Sequence, residues 1–339
     1  MSRFALAFSA AAVLAAVLFV AGLACGPVDI PLGDVAAALL GKDGLRPEVC
    51  YIVAEGRLPQ ALCAALCGSS LAVSGLVLQT AFGNPLAGPS VFGVSGGAGL
   101  GVAVVMMVCG GGMAIGGYGI GGAAAVMAAA FAGAMAVMAA VWGFSTVVSR
   151  GAMLLVVGVM IGYVASSAVA ILNYLATAEG VKAYFVWGLG SFSSASLSLS
   201  YVYLALSAVG MAWAAVLTKP LNAMLLGDSY AVSMGVDVGR VRRSMLVCAG
   251  LLCAVSTAFC GPVSFIGLAV PHIARMVSGS QDHRKLLPLS AVCGAAMALA
   301  CNLASSMPSL GMLPVGALTP LIGAPVVVYV AVRGAGIRM

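Results

Sequence analysis

Charge is what this chain has least of. Only 7% of its 339 residues are Asp, Glu, Lys or Arg, and two are histidine. With 63% hydrophobic residues and a mean hydropathy of +1.15, a soluble protein of this length could not hide its apolar surface from water. The bilayer is the natural solvent for it. The net charge of +6 is scattered between apolar runs, without the clustered basic patch that nucleic-acid binding needs. The ten cysteines include no Cys-x-x-Cys pair, which argues against a metal or redox framework. Cys63, Cys67, Cys109, Cys248, Cys253, Cys260, Cys293 and Cys301 lie in apolar runs and read as small buried hydrophobes. Cys25 and Cys50 leave a disulfide outside the membrane as an expectation. The stretch FGNPLAGPSVFGVSGGAGLG, Phe82 to Gly101, holds seven glycines but is no phosphate loop. Gly96 and Gly101 have P-loop spacing, yet Val102 and Ala103 follow where Lys and Ser/Thr are required.

What is present is a series of apolar runs. A spanning helix takes about 20 residues. Ten candidates follow: 5–24, 62–82, 91–109, 115–144, 153–175, 197–217, 245–260, 264–277, 286–304 and 315–332. The first reads as a span rather than a signal peptide, because Gly22 stands where a lipoprotein signal prefers Leu and the chain keeps inserting. With the N-terminus inside, the cytoplasmic segments collect Arg240, Arg242, Arg243, Arg275, Arg284 and Lys285 among others. Only Lys42, Arg46, Arg57 and Lys182 fall outside. The positive-inside rule therefore puts both termini in the cytoplasm.

The opening stretch then lies at a cytoplasmic turn, Asn84–Pro85, and the start of the third span. Gly93, Gly97 and Gly101 recur every four residues there. They predict one smooth helix stripe against which another backbone packs closely. The eighth span is short, contains Pro271 and follows Gly261–Pro262. If spans two to five correspond to spans seven to ten, the third and eighth are equivalent and run in opposite directions. Such an inverted repeat with paired Gly/Pro interruptions points to a transport path. Ser70, Ser74 and Gln79 recur on one side of the second span. With Asn84 and Pro271 they are the candidate lining of that path, the alternative being hydrogen bonds to neighbouring helices.

The most polar cytoplasmic segment is Lys219 to Ser244. Asp228 or Ser229 is suited to cap a helix start, and Gly235 to close it in the left-handed conformation. This predicts a surface helix of about two turns, 229–234, with Tyr230 and Met234 on one face. A compact capped helix favours a docking role over a plain connector.

The residues also resemble a known family, the FecCD-type permeases of bacterial ABC importers for iron-siderophores, heme and cobalamin. The resemblance rests on RLPQALCAALCGSSLAVSGLVLQ (57–79), GNPLAGPSVFGVSGGA (83–98), LNAMLLGDSYAVSMGVDV (221–238), GPVSFIGLAVPHIAR (261–275), DHRKLLP (282–288) and LPVGALTPLIGAP (313–325). It implies an all-α integral membrane protein of the type II importer permease fold, with ten spans in a single transmembrane domain, 1–339, in the bacterial inner membrane. It also implies a second permease subunit, here expected to be a second copy. Two cytoplasmic ATPase subunits would hold ATP and Mg, so this chain carries no cofactor and is not itself an enzyme. An extracytoplasmic binding protein would deliver a metal chelate, with ferric siderophore first and cobalamin or heme as alternatives. Leu226, Gly227, Asp228, Ser229, Tyr230, Met234 and Gly235 look like the family's ATPase-coupling loop. Arg57 matches an arginine that meets a carboxylate of the binding protein. The sequence departs from the family where Gln60, Asn302, Ser306 and Met312 replace residues that are often charged. Either the binding protein is correspondingly less charged, or docking uses Lys42, Arg46 or Lys182 beside Arg57.

The alternative from another class is an ion-gradient-driven secondary transporter of a small polar solute. Such proteins usually carry an intramembrane carboxylate, and none lies within the ten spans as bounded above. A membrane enzyme would need a nucleophile–base constellation, which is not legible. His272 and His283 read as structural rather than heme ligands, and the eighteen methionines as flexible packing.

Overall fold

In lipid, a backbone must satisfy its own hydrogen bonds, so long apolar runs become helices. The computed structural model describes residues 3–41, 45–109, 112–115, 118–148, 151–307 and 313–336. Lys42 and Met312, named above, lie outside them. The helices are α1 (Arg3–Ala24), α2 (Leu32–Leu39), α3 (Pro47–Tyr51), α4 (Leu58–Phe82), α5 (Val94–Ala103), α6 (Ala123–Phe144), α7 (Gly151–Leu175), α8 (Ala178–Gly188), α9 (Leu197–Val216), α10 (Thr218–Met224), α11 (Asp228–Ser233), α12 (Val238–Cys260), α13 (Ile266–Ser278), α14 (His283–Ser305) and α15 (Val315–Gly336). Among the described residues, seven helices are long and apolar enough to cross a membrane, and three shorter apolar ones cover Val94–Val108, Ile266–Ser278 and Val315–Tyr329. Seven and three match the ten expected spans.

Several boundaries differ from expectation, among them the seventh span, which begins at Val238 rather than Met245. The second span begins not at Leu62 but at Pro47, because α3 runs through a π-helical turn, Ile52–Arg57, straight into α4. Glu48, Glu55 and Arg57 are helical although they are not apolar. The fourth begins at Ala123. The residues before it form a two-stranded antiparallel hairpin, β1 (Gly112–Ile115) and β2 (Tyr118–Gly121). Lastly, α8 is a separate helix between the fifth and sixth spans, started by Thr177, whose hydroxyl accepts from the Gly180 N–H at 3.3 Å. Cys25 and Cys50 are both free thiols, which removes the expected disulfide.

α4 stands at the centre, buried along nearly its whole length and packed on α9, α12, α13 and α14. Glycine makes this possible. A Cβ on Gly68 would overlap the Gly294 carbonyl of α14, and one on Gly75 would overlap the Gly267 carbonyl of α13. With no side chains between them, the backbones touch, and dispersion contacts replace a hydrophobic drive that lipid does not supply. The expected glycine stripe of α5 is divided between partners. Gly97 and Gly101 meet Gly133 and Ala129 of α6, whereas Gly93 meets Gly158 and Gly162 of α7. Gly93 sits at the helix start with φ +71°, so its direction differs from that of a helical residue.

The packing repeats. α5 lies against α6, α7 and α12, and α13 lies against α14, α15 and α4. α4 packs on α14 as α12 packs on α6. Both α5 and α13 follow an irregular segment and start from a left-handed residue, Gly93 and Phe265 (φ +67°). Phe265 is the one non-glycine residue with positive φ among the described residues. Since α4 and α12 are the second and seventh spans, the two four-helix units cross the membrane in opposite senses, the inverted repeat expected from the sequence.

The glycine contacts predict a selective instability. Gly75→Ala forces α4 and α13 apart and costs about 1–3 kcal/mol, the range for overpacking. Gly143→Ala, which adds a methyl where nothing lies within 4 Å, is neutral or slightly stabilising. Thermal unfolding of the detergent-purified proteins checks this. Equal midpoints for Gly75→Ala and the parent would contradict the packing account.

Candidate functional site

One end of the bundle is organised by Arg57. The π turn inserts a residue into the helical phase and delivers Arg57 to the C-terminus of α1, where carbonyls lack helical partners. The residue is 6% exposed. Nη1 donates to the carbonyls of Leu23 (2.9 Å) and Ala24 (2.7 Å), and Nη2 donates to that of Val28. Gly26 leaves the room it needs, since a Cβ there would lie 3.0 Å from Nε. This cation therefore does not stand free at the surface, as a docking residue read from sequence would. Next to it, three of the departures from the family pattern meet. The Gln60 amide donates to Asn302 Oδ1 (2.8 Å) and to Ser306 Oγ (3.1 Å). They form one neutral, mutually satisfied cluster, a relation that sequence alone does not reveal because its ends lie 246 positions apart. Lys182 of α8 helps line a cavity of about 840 Å³ between α6, α8 and the end of α12, with Glu179, Trp187 and Phe259.

Most of the residues expected to line the path are enclosed by protein in this structure. Ser70, Ser74, Gln79 and Pro271 are buried against neighbouring helices, not on an open face. Ser74 Oγ donates to the Ala249 carbonyl at 2.8 Å. The Gln79 amide donates to the Leu268 carbonyl (3.2 Å), and its Oε1 accepts from Arg275 at 2.6 Å. The Ser70 hydroxyl is buried without a partner. Asn84 caps its own turn, with Oδ1 accepting from the Leu86 N–H at 2.9 Å. The physical reason is the central place of α4, which encloses its small polar residues on all sides. His272 Nε2 donates to the Pro85 carbonyl at 2.8 Å, a structural use.

α7 presents an exposed face, as α1 and α9 also do. Met160, Tyr163, Ser167, Ile171 and Tyr174 form one exposed line at helical spacing. Three of these five carry hydroxyls on a helix otherwise apolar enough to span lipid. The signal was legible as Tyr163, Ser167 and Tyr174 at intervals of four and seven, but an apolar run masks it.

The polar segment folds into α10 and α11. The helix spans Asp228–Ser233, one residue earlier than expected at each end. Gly227 (φ +99°) is the residue before it, so Asp228 is the first helical residue and does not cap. Its carboxylate pairs instead with Arg242 Nη2 at 2.7 Å. Gly235 (φ +81°) ends the helix as expected. Its N–H donates to the Val232 carbonyl (2.9 Å) and the Val236 N–H to that of Ala231 (3.0 Å), the paired closure of a Schellman turn. Ala231 is buried beneath the helix, while Leu226, Tyr230, Val232 and Met234 are each more than half exposed. Ser229 is also exposed. A rigid, short helix thus presents apolar side chains outward beside the charged start of α12.

Comparison with known proteins agrees with this architecture. A model of the FecCD transport family matches residues 14–333. The vitamin B12 import system permease protein BtuC of Klebsiella pneumoniae subsp. pneumoniae is 31% identical over 281 residues, covering 83% of this chain and 82% of that protein. BtuC of Salmonella schwarzengrund is 33% identical over 280 residues, covering 82% and 83%. A solved structure, assigned to a metal-chelate type ABC transporter in an inward-facing conformation, superposes with a TM-score of 0.81 at 26% identity, over 95% of this chain and 98% of that one. A family match across nearly the whole chain, with the same fold over its full length, leads to one conclusion: this chain belongs to the FecCD transport family.

Proposed function

We propose that this chain is the membrane-spanning permease subunit of an ATP-binding-cassette importer for a metal chelate. Separate ATPase subunits in the cytoplasm drive it, and an extracytoplasmic binding protein supplies the cargo. The observation that carries this reading is α11. It is capped at its end by Gly235, pinned by the Asp228–Arg242 pair, and carries exposed Tyr230 and Val232 between exposed Leu226 and Met234. A helix so presented fits a groove on a partner. Gly235→Val strains the left-handed turn by about 1–3 kcal/mol, and Tyr230→Ala removes an exposed apolar contact. In vesicles with the partner ATPase and binding protein, each variant is expected to lower cargo uptake per ATP hydrolysed while leaving the spans folded. Normal uptake per ATP in both would reduce the segment to a connector.

Ferric siderophore and cobalamin are the cargoes to test first. The second gains weight from relatives named for vitamin B12 import. Stimulation of ATPase activity by a panel of both, with heme, decides between them.

The passage in this reading runs between two permease copies, along the hydroxyl-bearing line of α7. Cysteine placed at Ser167 or Tyr174 in a cysteine-free background is expected to react with a water-soluble thiol reagent, and cysteine at Ser70 or Ser74 is not. Protection of both α7 positions in every transport state would remove α7 from the path.

Docking of the binding protein is assigned to the end held by Arg57. There the guanidinium shapes the surface by fixing the α1 terminus. Arg57→Glu places a carboxylate among three carbonyls, so both thermal stability and affinity for the binding protein are expected to fall. Unchanged affinity would exclude this end as the docking face.

A further inference from the structure

The last turn of α4 receives three links on three consecutive residues. Gln79 accepts from Arg275 of α13 at 2.6 Å. The Ala81 carbonyl accepts from Arg242 Nε of α12 at 3.0 Å, and the same arginine holds Asp228 of α11. Between them, the Thr80 hydroxyl meets His283 Nε2 of α14 at 2.8 Å. His283 is fully buried. Its other ring nitrogen, Nδ1, meets Asn222 Oδ1 of α10 at 2.8 Å. That same oxygen accepts the His283 backbone N–H at 2.8 Å, and the Asn222 amide nitrogen donates to Asp282 Oδ1 at 2.7 Å.

Each partner of Asn222 fixes the next assignment. An amide oxygen only accepts, so His283 Nδ1 must carry a proton. In the neutral ring Nε2 is then an acceptor, and the Thr80 hydroxyl shares its one hydrogen between it and the Leu76 carbonyl of its own helix at 3.1 Å. On its other side, Asp282 caps α14 by accepting the Arg284 N–H at 2.9 Å. Asn222 uses both ends of its amide, and neither an acid nor an aliphatic residue can replace it. It joins the segment carrying α11 to the start of α14 and, through His283, to α4.

We propose that Asn222 is a positioning residue for energy coupling: it latches the α10–α11 segment to the inner ends of α14 and α4, so that a push on α11 moves those helices rather than bending the loop. The inference rests on the reading of α11 as the ATPase contact. Its own content is the route inward from that contact.

The test is a swap. Asn222→Asp alone sets two carboxylates against each other at Asp282. Asp282→Asn alone loses the acceptor for the Asn222 amide unless the new amide turns away from its cap. Together, Asn222→Asp and Asp282→Asn restore one donor and the same acceptors, with His283 still served. Thr80→Val, which keeps the shape and removes the hydroxyl, cuts the far end of the same chain. The reconstituted complex is assayed for uptake of cyanocobalamin and of a ferric hydroxamate siderophore, for ATP hydrolysis, and for retention of the ATPase subunit.

Asn222→Asp and Thr80→Val are expected to retain the ATPase subunit and to hydrolyse ATP while uptake per ATP falls severalfold. The swap is expected to recover the parent ratio. A merely structural role would lower stability and yield but leave the ratio of surviving complexes unchanged. The latch is overturned if Thr80→Val and the single Asn222→Asp variant keep the parent ratio, or if the swap restores stability without restoring the ratio. If Asn222→Asp does not fold, Thr80→Val and the swap decide alone. Should Tyr230→Ala uncouple transport while Thr80→Val does not, the latch fails and the α11 contact stands. Should Tyr230→Ala and Gly235→Val both transport normally, it is the α11 contact that fails.

Discussion

The contact on which this structure depends is backbone against backbone, Gly68 to Gly294 and Gly75 to Gly267. Lipid gives helices no hydrophobic reason to associate, so close approach and the hydrogen bonds it allows must hold them. These contacts set α4 in the middle of the bundle with α12, α13 and α14 around it. Most polar groups on α4 then find their partners on those neighbours, while Ser70 Oγ finds none. Ser74 reaches the Ala249 carbonyl, Gln79 reaches Leu268 and Arg275, and Thr80 reaches His283. The same packing that buries these side chains removes them from any open passage.

A pillar so enclosed has only its two ends available for signals. At the first, Arg57 gathers the carbonyls where α1 stops, and Gln60, Asn302 and Ser306 satisfy one another without charge. A buried guanidinium bound to three carbonyls is expensive to release, because each freed acceptor loses about 1–3 kcal/mol when left unsatisfied. That end is therefore rigid. At the second, the final turn of α4 is tied to α13, α14 and α12. The exposed helix α11 is connected to two of those ties. Half-buried Asp282 adds a charge-assisted cap, and its carboxyl is held below the usual carboxylate range first by the Arg284 N–H and then by Asn222.

Composition and periodicity made the span count legible, because seven long and three short apolar helices follow directly from the apolar runs. The repeat was legible as well. Gly93 and the Gly261–Pro262 break announce two short spans, and the structure gives both the same left-handed start and matching neighbours. Gly235 was readable as a helix end, since a left-handed turn strongly prefers glycine. Three kinds of feature were not. The π turn before Leu58 has no apolar signature, so the second span seemed to start late. Small polar residues at helical spacing, such as Ser70 and Ser74, look alike whether they face a passage or a partner helix. Contacts between distant segments, such as Gln60 with Asn302 or Asn222 with His283, exist only after folding.

The central claim is that α11 and the inner end of α4 move as one body while the α7 faces of paired permeases separate and approach. Spin labels at Ser229→Cys on α11 and Leu86→Cys just beyond α4, in a cysteine-free background, read that distance directly by pulsed electron paramagnetic resonance. The full reconstituted complex is compared nucleotide-free and trapped with ATP. The account predicts an unchanged Ser229–Leu86 distance distribution while a label pair on the two α7 helices shifts. A Ser229–Leu86 distribution that shifts as far as the α7 pair would show that the loop bends independently of α4, and would contradict it.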